Sequence, residues 1–133
     1  MSTDAPRDAG DGDPPEQLLP ETSVLDLAQY LAMQRAIGNE TRFRLLRTLA
    51  RGGDASATEL RDQLEVQSNT LHYHLDELVD VGLVENRKRK TADADGLYSY
   101  YRATAMGEAI LEHGVEELLR RERDFLDAYG GGN

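Results

Sequence analysis

SATELRDQLEVQSNTLHYHLDELVDVGLVENRKRK, residues 56–90, is followed after TADADG by LYSYYR, residues 97–102. Ser56 and Glu59 have the S-x-x-E spacing of a capping box, in which each side chain satisfies the other's free backbone N–H. A short helix therefore opens here and runs through Leu64, burying Leu60 and Leu64. Glu65–Gln67 make a turn, with Val66 plugging the core. A second helix runs from about Ser68 to Val81 and ends at Gly82. There the apolar period changes from about 3.6 to about 2. Leu83–Arg89 and Leu97–Ala103 read as the strands of a hairpin, joined by TADADG with its Asp-Gly pair. Helix, turn, helix and basic hairpin in this order put one helix in a DNA major groove and a charged ribbon on the neighbouring backbone.

The second helix divides cleanly. Leu71, Leu75 and Leu78 share a buried stripe, which turns Asn69, His72, Tyr73 and Asp76 outward. Bases are read mainly from the first two turns of such a helix. Gln67, Ser68, Asn69, Thr70, His72 and Tyr73 occupy that region. Gln and Asn pair with adenine edges, while Ser, Thr and His donate or accept as needed. His74 lies at the edge of the stripe and is expected to be packed and hydrogen-bonded. In the hairpin, Arg87, Lys88, Arg89 and Lys90 point to both faces and suit phosphate contact, which positions a protein without specifying sequence. Tyr98, Tyr100 and Tyr101 on the return strand are expected as core or cross-strand partners.

Upstream, residues 1–22 are Asp/Gly/Pro-rich and are expected to form a disordered acidic tail. A single domain then spans 23–129. Its first helix is expected from about Ser23, capped by Ser23 and Asp26, with Val24, Leu27, Ala28 and Leu31 on one buried face. Gly38 ends it. Asn39 caps a second helix, NETRFRLLRTLAR, with Phe43, Leu46, Leu49 and Ala50 inward, and Gly52–Gly53 stop it. Downstream, Thr104 caps a long helix, 105–129, that ends at Gly130–Gly132. Leu111, Val115, Leu118, Glu122, Phe125 and Tyr129 form a heptad seam with one polar intruder, widened by Leu119 and Leu126. So wide a face on so small a domain is expected to be a homodimer interface, shared with Leu27 and Leu31 of the first helix.

Composition narrows the function. The chain of 133 residues has no Cys, which excludes disulfides, thiolate metal sites and thiol redox sensing. No apolar run approaches the roughly 18 residues of a membrane span, and MSTDAPRDAGDGDPP lacks the basic and apolar regions of a signal peptide. A cytoplasmic protein is expected. There is no P-loop, no Ser-centred glycine elbow and no His/carboxylate set with metal spacing, so neither an enzyme nor a cofactor nor a metal site is expected. The net charge of −10 is unusual for a DNA reader. It divides as −5 over 1–22, −1 over 23–103 and −4 over 104–133, so the DNA-reading segment is near neutral. Thirteen Arg against two Lys, with abundant acids, fit a salt-loving cell. The competing reading is a winged-helix protein-interaction module whose acidic surface binds a basic partner.

These stretches are similar to a known family. N-E-T-R-x-R-L-L at 39–46, H-x-H-L-x-x-L-x-x-x-G-L-V at 72–84, and LYSYYRAT resemble the ArsR-like winged helix-turn-helix transcription regulators, in the acidic form of halophilic archaea. The resemblance covers about residues 23–128. It implies a mainly α fold with a small β-hairpin, and a homodimer that reads an inverted repeat in double-stranded DNA. The first and last helices would form the interface. The base-reading positions it implies are Gln67, Ser68, Asn69, His72 and Tyr73. Metal-sensing members carry Cys pairs or carboxylate/His sets. Here only His113 with Glu116 or Glu117 resembles a fragment of one. The resemblance therefore supports DNA binding, as a repressor, and identifies no effector.

Overall fold

Local capping rules set most of the element boundaries in the computed structural model, which describes residues 14–90 and 97–129. The helices are α1 (Leu27–Ile37), α2 (Glu40–Gly52), α3 (Ala57–Leu64) and α4 (Ser68–Asp80). The strands β1 (Val84–Lys90) and β2 (Leu97–Ala103) precede α5 (Ala105–Glu112), α6 (Val115–Arg120) and α7 (Glu122–Tyr129). Asn39 Oδ1 accepts the Arg42 N–H at 3.0 Å to start α2. Ser56 and Glu59 form the reciprocal box at the start of α3, at 3.1 and 2.8 Å. Thr104 Oγ1 accepts the Gly107 N–H at 3.0 Å to start α5. Each such cap contributes about 1 kcal/mol. The turn between α3 and α4 passes through Glu65 at φ 54°, a left-handed conformation that few non-glycine residues adopt.

The first helix departs from expectation. Asp26, not Ser23, caps it, in a reciprocal box with Gln29. Ser23 instead hydrogen-bonds the Leu25 backbone. Val24 therefore lies outside the helix, 91% exposed, and Leu31 is exposed too. The face that α1 buries is Met33, Ala36 and Ile37, half a turn from the stripe expected. The expected tail lies mostly outside the described residues; its last part carries a 3-10 turn at Pro15–Leu18.

The core is assembled from Met33, Ala36 and Ile37 of α1 and from leucines of α2 through α5. Leu45, Leu46, Leu60, Leu71, Leu75, Leu78, Leu83 and Leu111 are each almost fully buried, with Val84 and Tyr101 closing the hairpin end. Full burial of one such side chain stabilises by roughly 1.5–3 kcal/mol. Leu45 was not among the inward positions expected of α2, yet it shares that face with Leu46 and Leu49. Val66 is half-buried against the core, as its turn position predicts.

β1 and β2 form a two-stranded antiparallel hairpin that pairs Val84 with Ala103 and Lys90 with Leu97. The TADADG turn lies outside the described residues. An Ala55–Tyr101 bridge, with N···O distances of 3.1 and 2.7 Å, fastens β2 to the residue just before the α3 cap.

The C-terminal helix is not continuous. It breaks at His113–Gly114 and again at Arg121, giving three segments in place of one helix over 105–129. Gly114 sits at φ −107° and ψ −116°, and a Cβ there would lie 2.5 Å from the Ile110 carbonyl oxygen. The heptad spacing survives across the breaks, but the seam does not. Leu111 belongs to the protomer's own core and is not offered to a partner, whereas Val115, Leu118, Leu119 and Leu126 are exposed.

Candidate nucleic-acid interface

The outward face of α4 is built as the helical period dictates. Leu71, Leu75 and Leu78 are buried, while Gln67, Ser68, Asn69, Thr70, His72 and Tyr73 are all exposed. Gln67 is the N-cap residue, and no side chain caps this helix, so its amide is not committed to the helix start. The six residues expected to read bases thus lie together on the first two turns. Asp76 and Asp80 are exposed further along, beyond those first two turns.

His74 is buried, as its place beside the stripe predicts. Burial lowers its pKa, and the nearby Arg42 guanidinium lowers it further. His74 is therefore a packing residue of α4.

The hairpin carries its bases on both faces. Register puts Arg87 and Arg89 with Tyr98 and Tyr100 on one face, and Lys88 and Lys90 with Leu97 and Ser99 on the other. The four bases are exposed. Arg89 is not a free cation, however. Its guanidinium lies 5.3 Å from the Tyr98 ring centre and 4.8 Å from that of Tyr100, and the two rings stack at 6.0 Å. Tyr98 also donates its hydroxyl to Glu59 Oε1 at 3.1 Å. Glu59 already accepts from the Ser56 N–H, and these bonds hold its carboxyl below the usual value. One carboxylate thus caps α3 and anchors the ribbon. Tyr100 and Tyr101 are buried, as expected of cross-strand and core residues.

α2 carries four arginines, Arg42, Arg44, Arg47 and Arg51. The structure spends each of them within the molecule. Arg42 bonds the Ala36 carbonyl and His74. Arg44 pairs with Glu40 at 2.7 Å. Arg47 and Arg51 both hold Glu116 of α6. Sequence reasoning missed this last grouping, because 65 or more residues separate the partners. The only hint was the i, i+4 spacing of the two arginines.

His113 approaches Glu117 at 3.6 Å, while Glu116 is turned away toward the arginines. Among the described residues no group of three or more His, Cys, Asp or Glu is placed to hold a metal ion. No helix there is long and apolar enough to cross a membrane.

The comparisons with known proteins agree with this geometry. A family model described as a helix-turn-helix domain matches residues 37–87. Two Halobacterium salinarum proteins that carry the name arsenical resistance operon repressor, ArsR and ArsR2, are each 32% identical to this chain. The match to ArsR2 runs over 87 residues, 65% of this chain and 68% of that protein. The chain belongs to the ArsR-like winged helix-turn-helix family of transcription regulators. It spans 55% of the length of the ArsR relative, over 57% of its own. The homodimeric winged helix-turn-helix DNA-binding domain of a Mycobacterium bovis regulator superposes with a TM-score of 0.61, covering 80% of this chain and 90% of that one. At 21% identity that likeness concerns the fold alone. Within the ArsR-like fold, α3 and α4 are the helix-turn-helix and β1–β2 the wing.

Proposed function

We propose that this ArsR-like protein is a sequence-specific regulator that binds an inverted-repeat operator in double-stranded DNA as a homodimer and represses by occluding it. The observation that carries this reading is the uncommitted polar patch on the first two turns of α4, from Gln67 to Tyr73, in the same small domain as a tethered basic ribbon. In this reading the patch meets base edges and the ribbon positions it on phosphates. The exposed apolar residues of the C-terminal arm, Leu118, Leu119 and Leu126, at 55, 60 and 54% exposure, support a second copy packing there. Leu27 and Leu31 of α1, with Val115 and Phe125, would extend that contact. The names of the Halobacterium relatives support a repressor, and the homodimeric state of the Mycobacterium domain supports a dimer. Such a regulator works in the cytoplasm without catalysis or cofactor.

Selection from a randomised DNA library at molar potassium chloride tests the reading. A two-fold symmetric site is expected, with half-sites about one helical turn, roughly 34 Å, apart or a multiple of it. Recovery of no preferred sequence at any salt would overturn it.

A further inference from the structure

Glu116 is the one buried carboxylate among the described residues, and three arginines surround it. Arg47 Nε donates to Oε2 at 2.9 Å, and Arg51 bonds Oε1. Arg120 Nη1 lies 3.9 Å from Oε1, and its Nη2 donates to the Glu112 carbonyl at 2.9 Å, reaching back across the Gly114 break. Burial raises the carboxyl's pKa, but the bonds from Arg51 and Arg47 more than offset this and hold it ionised. The ion group therefore sits at the hinge of the C-terminal arm. On one side α5 is fixed by Leu111 in the core; on the other, α6 and α7 bury no apolar side chain in the protomer. Among the described residues the Glu116 group is what ties α6 to α2 through side-chain hydrogen bonds, while the Arg120 bond ties α6 back to α5.

We infer that Glu116, held by Arg47 and Arg51, is a positioning residue that sets the angle of the C-terminal arm on the DNA-binding domain, and through it the operator spacing the dimer accepts. The first part stands on the clasp alone. The second rests on the dimer reading above: if the arms pair about a two-fold axis, their angle fixes the separation of the two α4 helices. A buried ion group suits this task because its geometry is specific even where its net contribution to stability is small.

The absence of Cys permits a direct test. Asp62→Cys on α3 and Asp127→Cys on α7, both at exposed positions, carry a spin-label pair. Dilution with unlabelled protein leaves only distances within one chain. The otherwise native chain should give one narrow distance. Glu116→Ala should broaden it at least twofold, and Glu116→Gln, which keeps one acceptor, should broaden it less. The melting transition of the domain serves as a control for folding. If Glu116→Ala does not fold, Arg47→Gln with Arg51→Gln opens the same clasp from the α2 side. A narrow, unshifted distance in folded variants of either kind would overturn the inference, whatever the protein does with DNA. The spacing is then read on inverted repeats with spacers varied by single base pairs. Native protein should prefer one spacer by tenfold or more, and Glu116→Gln should bind neighbouring spacers within about threefold. An equally sharp preference in Glu116→Gln would overturn the link to spacing. A native dimer without any DNA preference would instead count against the functional reading and leave the clasp standing.

Discussion

Arg42 Nη1 lies 3.0 Å from His74 Nδ1, and Arg42 Nε donates to the Ala36 carbonyl at 2.6 Å. One guanidinium thereby ties the end of α1 to the middle of the recognition helix. Arg can only donate, so Nδ1 accepts and the imidazole must be neutral, with its proton on Nε2. Burial, and then the Arg42 charge, keep the folded-state pKa of His74 below its ordinary 6.5. The unfolded chain takes up this proton near pH 6.5 while the folded chain resists it. The stabilising contribution is thus complete above that pH and is lost as pH falls through 6.5 toward the folded value. Denaturant titrations at stepped pH should show stability declining over this window, and His74→Gln should flatten the decline. A native protein equally stable on both sides of the window would contradict the pairing.

Gly107 is buried where α5 crosses the end of the hairpin. A methyl there would overlap the Leu83 carbonyl oxygen and approach Leu46 Cδ1 at 3.1 Å. The backbone oxygen has little room to move, because it also accepts the Thr104 N–H at 3.1 Å. Gly107→Ala should cost about 1–3 kcal/mol despite the higher helix propensity of Ala. Thermal or denaturant unfolding measures this; a neutral or stabilising result would mean that α5 sits further from the hairpin.

Elements fixed by neighbours in sequence were legible in the sequence. The caps at Asn39, Ser56 and Thr104 involve residues three apart, and the exposed face of α4 follows from the helical period of Leu71, Leu75 and Leu78 alone. The breaks in the C-terminal arm were not legible, because the heptad spacing from Leu111 to Tyr129 runs straight through Gly114. A period reports which residues share a face, not whether the backbone between them is continuous. The same limit explains Leu111, whose place on the seam and place in the core have the same spacing. Val24 was misplaced because Ser23 and Asp26 are both plausible caps, and only Asp26 has Gln29 three residues on to complete the box. The Glu116 clasp and the Arg89–tyrosine stack depend on tertiary packing and strand register, which charge patterning does not specify.

Lys88 and Lys90 offer a cleaner test of the wing than Arg89, whose side chain also covers two tyrosines. Phosphate contacts carry charge but no base information. Lys88→Gln with Lys90→Gln should weaken binding to all sequences alike and flatten the slope of log K against log salt by about 0.9 per lost contact. Both proteins must be compared over one salt range, since the net charge of −10 alters the absolute slope. Unchanged affinity for every site would remove this face of the hairpin from the DNA.

Leu118→Asp with Phe125→Asp places charges on the apolar side of the arm without touching the core, since both residues lie outside it. If the arm pairs two protomers, the unpaired buried charges should cost several kcal/mol and dissociate the dimer. Sedimentation should then show folded monomers. A dimer that survives the double change would exclude this surface from the interface.

In the proposed function the first two turns of α4 read bases. The most direct test compares the sites that the native protein, Asn69→Ala and His72→Ala enrich from one DNA library under one salt condition. Each variant should lose about 1–3 kcal/mol on the native site and relax the preference at particular base pairs, in both half-sites symmetrically. Variants that enrich the native sequence with undiminished preference at every position would contradict the assignment of this helix as the reader.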